Sequence, residues 1–239
     1  MYGWRAKIGL ITPVGESAEH AFHIYAPEGV SFSSTKLSLP ALTPEGFAGL
    51  ADQLEETAGK YRGYDLDLVV FGCAAGSCIK GSAWNQACTD RMERACGIPG
   101  LTTGTAVLEG LQKLGARKVA VLTPYPEAIY DAEKRFLEEN GFEVTNIVSM
   151  DMRQFKDRGL RIEAADEHFL YQHSVRVDLK GADAFYLSSM ELAAMEIIDL
   201  LETALEIPVV TSHQVTLWGA LRHCRVGAKI PKMGRLFTL

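Results

Sequence analysis

Five cysteines are spread over the 239 residues of the chain, and one of them stands where a thiol could do chemistry. Cys73 follows the apolar run 66–71 inside the loop F-G-C-A-A-G-S at 71–77, ahead of an expected helix start. A loop of that kind aims free backbone N–H groups and a helix dipole at the sulfur. Both lower a thiol's pKa, and both suit an oxyanion or carboxylate. The help matters because an unperturbed cysteine is mostly protonated at pH 7. A buried structural thiol would occupy the same position, so placement alone leaves both roles open. The cysteines do not form a metal set. Cys73, Cys78, Cys88 and Cys96 are spaced 5, 10 and 8 apart, with no C-x-x-C pair and no adjacent histidine, which argues against zinc. Cys88 and Cys96 share a helical face with Ala87, Met92 and Ala95 and read as small core hydrophobes. No G-x-G-x-x-G follows the first strand and no G-x-x-x-x-G-K-S/T occurs anywhere, so nucleotide binding has no support.

The elements that position Cys73 follow from periodicity. Short apolar runs at Lys7–Thr12, Leu66–Phe71, Ile98–Leu101 and Lys118–Thr123 read as strands. Between them lie amphipathic stretches. Thr43–Tyr61 carries Phe47, Leu50, Leu54 and Ala58 at helical spacing behind a Thr-Pro-Glu start, and Gly81–Ala95 and Thr105–Leu114 follow. Alternating strands and helices imply a parallel sheet with right-handed crossovers. The pattern then repeats. K-I-G-L-I-T-P at 7–13 matches K-V-A-V-L-T-P at 118–124, an offset of 111. L-D-L-V-V-F-G-C at 66–73 matches A-D-A-F-Y-L-S-S at 182–189, an offset of 116. G-I-P-G-L-T-T-G-T at 97–105 matches E-I-P-V-V-T-S-H-Q at 206–214, an offset of 109. Three matches in one order predict two similar α/β lobes related by a pseudo-twofold. Each is a mostly parallel four-stranded sheet flanked by helices, with the ligand cleft between the carboxyl ends of the strands. The loops after Pro13 and Pro124, after Gly72 and Ser188, and after Leu101 and Val210 then surround one site. Ser189 is the repeat partner of Cys73.

Composition narrows the partners. Lys and Arg number 24 against 30 Asp and Glu, a net charge of −6, with 47% hydrophobic and 23% charged residues. That is ordinary globular composition without a basic stripe, which counts against nucleic acid or an anionic membrane as partner. No apolar run reaches the roughly 18 residues of a membrane span. The start runs straight into a strand-like segment without a signal-peptide core. An odd number of cysteines without a framework pattern suits reduced thiols, hence a cytoplasmic protein. The charge-rich stretch 151–161 reads as a solvated connector.

A cysteine loop after an early strand, paired with T-P-Y at 123–125, resembles the aspartate/glutamate racemase superfamily. The nearest likeness within it is to maleate cis-trans isomerases and arylmalonate decarboxylases. The resemblance extends through L-T-P-E-G-F (42–47), K-G-S-A-W-N (80–85), T-T-G-T-A-V-L-E-G-L (102–111), L-G-A-R-K-V-A-V-L-T-P-Y (114–125), P-V-V-T-S-H-Q-V-T-L-W (208–218) and G-R-L-F (234–237). It implies cofactor-independent chemistry, without metal, at a carbon next to a carboxylate, and so a small carboxylic acid as partner. A homodimer or higher homo-oligomer is left open. It also implies an N-terminal lobe of residues 1–113 joined by 219–239, a C-terminal lobe of 114–218, and a cleft between them.

In this superfamily a cysteine follows the second strand of each lobe. The first maps onto Cys73 and the second onto Ser189, a departure that leaves one thiol. The resemblance places Pro13, Glu16, Ala74, Ala75, Tyr125, Ser188 and Met190 at substrate-binding positions. Ala74 and Ala75 stand where relatives often have Thr and Ser. Glu16 stands where they often have Asn, and it would repel a dicarboxylate unless protonated or paired. A serine hydroxyl is too weak an acid to replace a thiol unaided. His213, in T-S-H-Q, could supply the missing acid/base function, with an ionisation between about pH 6 and 7.5. Its alternative role is to hydrogen-bond a loop. The leading expectation is an isomerase of the maleate type, in which Cys73 thiolate adds to a double bond, the C–C bond rotates and elimination returns the trans acid. The alternatives are an arylmalonate-decarboxylase-like lyase and a repurposed, non-catalytic small-acid-binding protein.

Overall fold

A computed structural model describes residues 2–13, 15, 17–150, 152 and 162–239. Glu16 and, apart from Met152, the expected connector at 151–161 lie outside the described residues. The first half runs β1 (Ala6–Pro13), α1 (Ser17–Tyr25), β2 (Val30–Leu37), α2 (Pro44–Gly59), β3 (Leu68–Phe71), α3 (Ala74–Cys78), α4 (Ser82–Cys96), β4 (Gly100–Thr102) and α5 (Thr103–Lys113). The second runs β5 (Lys118–Thr123), α6 (Glu127–Glu139), β6 (Glu143–Ser149), α7 (Glu167–Ser174), β7 (Ala184–Leu187), α8 (Ile198–Leu205), β8 (Val209–Thr211) and α9 (Ser212–His223). Two four-stranded sheets result, ordered β2-β1-β3-β4 and β6-β5-β7-β8, and every strand pair is parallel. The orders are the same once the repeat is counted. β3 and β7 are separated by 116 residues and β4 and β8 by 109, the spacings seen in the sequence.

Local chemistry explains the elements nearest the site. The central strands β3 (LVVF) and β7 (AFYL) are buried along their whole length, as parallel strands covered on both faces must be. Register sets Phe71 beside Ile11 and Thr102, and Leu187 beside Leu122 and Thr211. The segments that follow these strands therefore leave each sheet along one edge. Equivalent threonines start the last helix of each half. Thr102 Oγ1 accepts from Thr105 N–H at 3.0 Å, and Thr211 Oγ1 accepts from Gln214 N–H at 3.1 Å. Gln214 Oε1 returns a bond from Thr211 N–H at 3.2 Å, closing a capping box.

α5 and α9 then pack on each other through small residues. A Cβ on Gly110 would lie 2.4 Å from Val215 Cγ2, and Thr216 Oγ1 donates to Thr103 Oγ1 at 3.1 Å. Periodicity in the sequence bounds none of α1, β2, α6, β6, α7 or α8, and it marks α3 only by a helix start after Cys73. β2 (VSFSSTKL) is a serine-rich edge strand without a buried face along most of its length, so it lacks the apolar run that marked the others.

Candidate active site

A cavity opens at the carboxyl edge of the two sheets. Thr12 and Pro13 at the end of β1, Cys73 after β3, Tyr125 after β5, and Met190 and Glu191 after β7 line it. Ala18, Leu39, Leu42 and Phe47 make its wall apolar. The enclosed space is about 20 Å³, far below the roughly 300–1,000 Å³ of a ligand pocket. Binding anything larger than water therefore requires wall side chains to move aside.

Cys73 is the N-cap of α3, and its Sγ accepts from Gly76 N–H at 3.3 Å. Gly76 makes that approach possible, since a Cβ there would stand 2.8 Å from the sulfur. The thiol is nevertheless pushed up to about 12, because burial outweighs the Gly76 bond and the Glu191 carboxylate adds to it. Backbone N–H help is present, as the loop sequence implied, but desolvation dominates and the sulfur keeps its proton. Tyr125 is also held well above the ordinary phenol range, by burial first and then by Cys73 and Glu191. Its ring packs edge-on against Phe47 with centroids 5.6 Å apart. Its hydroxyl donates to Ser189 Oγ at 3.2 Å.

Ser189 is thus reached through Tyr125. It is buried, its Oγ accepts a second bond from Glu191 N–H at 3.1 Å, and its own N–H donates to Ser212 Oγ at 3.0 Å. Ser212 Oγ is also 2.9 Å from the Tyr186 hydroxyl. Of the residues singled out from sequence, Pro13, Cys73, Tyr125 and Met190 share the cavity lining. Ala74 and Ala75 are buried in the first turn of α3 and are not part of that lining, and Ser188 turns away to donate to Glu133.

His213 is fully buried in the first turn of α9 and is not itself part of the lining, but it lies directly behind it, with Nε2 3.5 Å from Oγ of the lining residue Ser17. Burial pushes its imidazole down to about 4. The Leu192 and Met190 carbonyls only partly offset this, and Nδ1 has no hydrogen-bond partner among the described residues. Its titration accordingly falls below the window of about pH 6–7.5 expected for an acid/base histidine.

Several site residues escaped the sequence reading. Phe47 registered only as a helical core position, whereas α2 presents it to both core and cavity. Glu133 had a visible signal, a carboxylate on the same stripe of α6 as Ile129, Phe136 and Leu137. Among the described residues no group of three or more His, Cys, Asp and Glu could hold a metal ion.

The site can be set beside known proteins. The family model for arylmalonate decarboxylase matches residues 8–237. Arylmalonate decarboxylase of Bordetella bronchiseptica is 29% identical over 231 residues, covering 96% of this chain and 95% of that protein. A liganded structure of an arylmalonate decarboxylase variant, with one glycine exchanged for cysteine and one cysteine for serine, superimposes with a TM-score of 0.87 at 30% identity. It covers 97% of this chain and 98% of that one. A cysteine-to-serine variant of Nocardia farcinica maleate cis-trans isomerase, with a covalently bound succinylcysteine intermediate, superimposes with a TM-score of 0.88 at 20% identity. That match covers 97% of this chain and 98% of that one, and it speaks to the fold.

Proposed function

The chain belongs to the arylmalonate decarboxylase family, and from that premise we propose that it is a cofactor-independent lyase that removes CO2 from a malonate-type acid bearing an apolar substituent. The observation that carries this reading is the state of Cys73. A buried thiol held near 12 on an apolar cavity is suited to giving a proton to a carbanion. The isomerase expected from sequence starts instead from a thiolate adding to a double bond, which burial and the Glu191 carboxylate both oppose.

The steps balance. One carboxylate leaves as CO2, and the electrons of the broken C–C bond pass to the α-carbon and are shared with the remaining carboxyl group as an enediolate. The apolar wall of Leu39, Leu42 and Phe47 destabilises the departing carboxylate more than neutral CO2 and, once these side chains move aside, takes up the substituent. Tyr125, kept protonated by burial, turns its one O–H from Ser189 Oγ to the charged oxygen of the enediolate. The Cys73 S–H bond then breaks as the new C–H bond forms, and the thiolate recovers its proton from water before the next turnover. The free cysteines support a reducing compartment, and we propose that the protein is cytoplasmic. No helix among the described residues is long and apolar enough to cross a membrane.

The test uses two substrates. With 2-methyl-2-phenylmalonate the purified protein should release CO2 and form 2-phenylpropionate of one hand, and Cys73→Ala should lower kcat by at least about a hundredfold. With maleate, no fumarate should form. Conversion of maleate to fumarate, with no CO2 from the malonate, would overturn the lyase in favour of the isomerase.

A further inference from the structure

Behind the turn that carries Ser189 lies a carboxyl group that this chemistry does not use. Glu133 of α6 is 3% exposed. Its Oε1 accepts from the Ser188 hydroxyl, and its Oε2 has no hydrogen-bond partner among the described residues. Cys78 of α3, Val107 of α5, Phe136 of α6 and Tyr186 of β7 surround it. The ionisable groups that face it are the Cys78 thiol and the Tyr186 phenol, with Tyr125 within electrostatic reach. None of them is a cation. The space beside the carboxyl group is about 10 Å³, at the lower limit of the roughly 10–15 Å³ that one water requires. An ionised carboxylate there would lack counter-charge and most of its hydration, so its ionisation is disfavoured.

Ser188 donates to Glu133 and lies beside the Tyr186 phenol, and from Tyr186 hydrogen bonds run on toward the cavity. Tyr186 meets Ser212 Oγ, Ser212 Oγ holds the Ser189 N–H, and Ser189 Oγ holds the Tyr125 hydroxyl. The hydroxyls of Ser188, Tyr186 and Ser212 can each turn their one proton, whereas the Ser189 N–H can only donate, so the charge on Glu133 sets the direction as far as Ser212 Oγ and with it the strength of the Ser189 N–H bond. A neutral Glu133 can donate to Ser188 and leave the Ser188 proton for Tyr186. An ionised Glu133 can only accept, which turns the Ser188 proton back toward it.

We propose that Glu133 is a positioning residue that holds the Ser188–Ser189 turn in working geometry through a neutral carboxyl group, and that its ionisation repolarises the turn and slows turnover. The kinetic part rests on the lyase reading, whereas the conformational part does not. Burial pushes the Glu133 carboxyl up to about 7, with the Ser188 hydroxyl partly opposing it, so the change falls near neutral pH.

The experiment has a spectroscopic and a kinetic arm, both on the full chain. The backbone amide signal of Ser189 is followed from about pH 5 to about pH 9 by NMR, spanning the ionisation of a raised carboxyl. It should titrate with the Glu133 carboxyl carbon in the parent and be flat in Glu133→Gln, which mimics the neutral form. In Ser188→Ala the Glu133 carbon should still titrate while the Ser189 amide does not, and this variant serves equally if Glu133→Gln fails to fold. An Ser189 amide that does not move in the parent, or that titrates unchanged in either variant, overturns the proposal. In the kinetic arm, kcat on 2-methyl-2-phenylmalonate should fall about tenfold per pH unit above the midpoint in the parent and lose that limb in Glu133→Gln. An alkaline limb that is unchanged in Glu133→Gln overturns the proposal. The expected Ser189 titration in a protein that turns over no malonate would sink the lyase reading and still support the placement of Glu133.

Discussion

Cys73 and Ser189 occupy equivalent positions after β3 and β7, so the repeat presents a thiol from one half and a hydroxyl from the other. Only the thiol is acidic enough to protonate a carbanion directly, since an alcohol is a far weaker acid. In the proposed lyase, delivery of the proton from one side gives one hand of product. Moving the thiol should therefore invert that hand. In Cys73→Ala combined with Ser189→Cys, chiral chromatography of the 2-phenylpropionate product should show the opposite enantiomer to the parent, at whatever rate survives. The same enantiomer from both proteins would mean that Cys73 is not the donor. Cys73 itself was legible from sequence as the cysteine in a Gly-flanked loop. Its protonation was not, because burial by segments distant in sequence, with the Glu191 charge added to it, outweighs the nearby Gly76 N–H.

Among the elements, α9 shows how a helix start can remove a residue from the chemistry its sequence invites. The capping box of Thr211 and Gln214 orients the first turn, and Gln214 Nε2 also donates to the Met233 carbonyl at 2.7 Å. His213 is left facing Ser17 and the Met190–Leu192 backbone. Its folded pKa lies below the unfolded value, so the stability it contributes is present above about pH 6.5 and is lost as the pH falls through about 4. That difference is on the order of 3 kcal/mol. Urea unfolding of the parent should show that loss between those pH values, and His213→Asn should show much less of it. Equal acid sensitivity in the two proteins would argue against a buried neutral imidazole. Elements with a strong local signal, β1, β3, β5 and α2, follow from apolar runs or from 3.6-residue spacing. α3 has only five residues, too few to establish a period, and β2, with Ser31, Ser33 and Ser34, has neither an apolar run nor a sustained alternation to mark it as a strand.

Across the whole molecule, the two halves meet where α5 packs on α9. Val215 is stiff at χ1 and cannot easily yield to a methyl group placed 2.4 Å from its Cγ2. Gly110→Ala should therefore cost about 1–3 kcal/mol by urea denaturation. Because α9 also carries Ser212, which holds the Ser189 N–H, the same variant should disturb turnover without touching the cavity. An unchanged unfolding midpoint would show that the helices adjust freely.

Sequence alone determined the duplication, the strand and helix alternation, and the loop that bears the single thiol. Each is written in local period or in a recurring spacing, and local sterics and hydrophobic burial act on neighbours along the chain. Only the tertiary structure decided the charge states and the partners. Cys73 keeps its proton, His213 lies buried behind the cavity wall, and Glu133 comes to lie behind Ser188. Desolvation and hydrogen-bond direction depend on which distant segments close around a group, and no spacing within the chain encodes that enclosure.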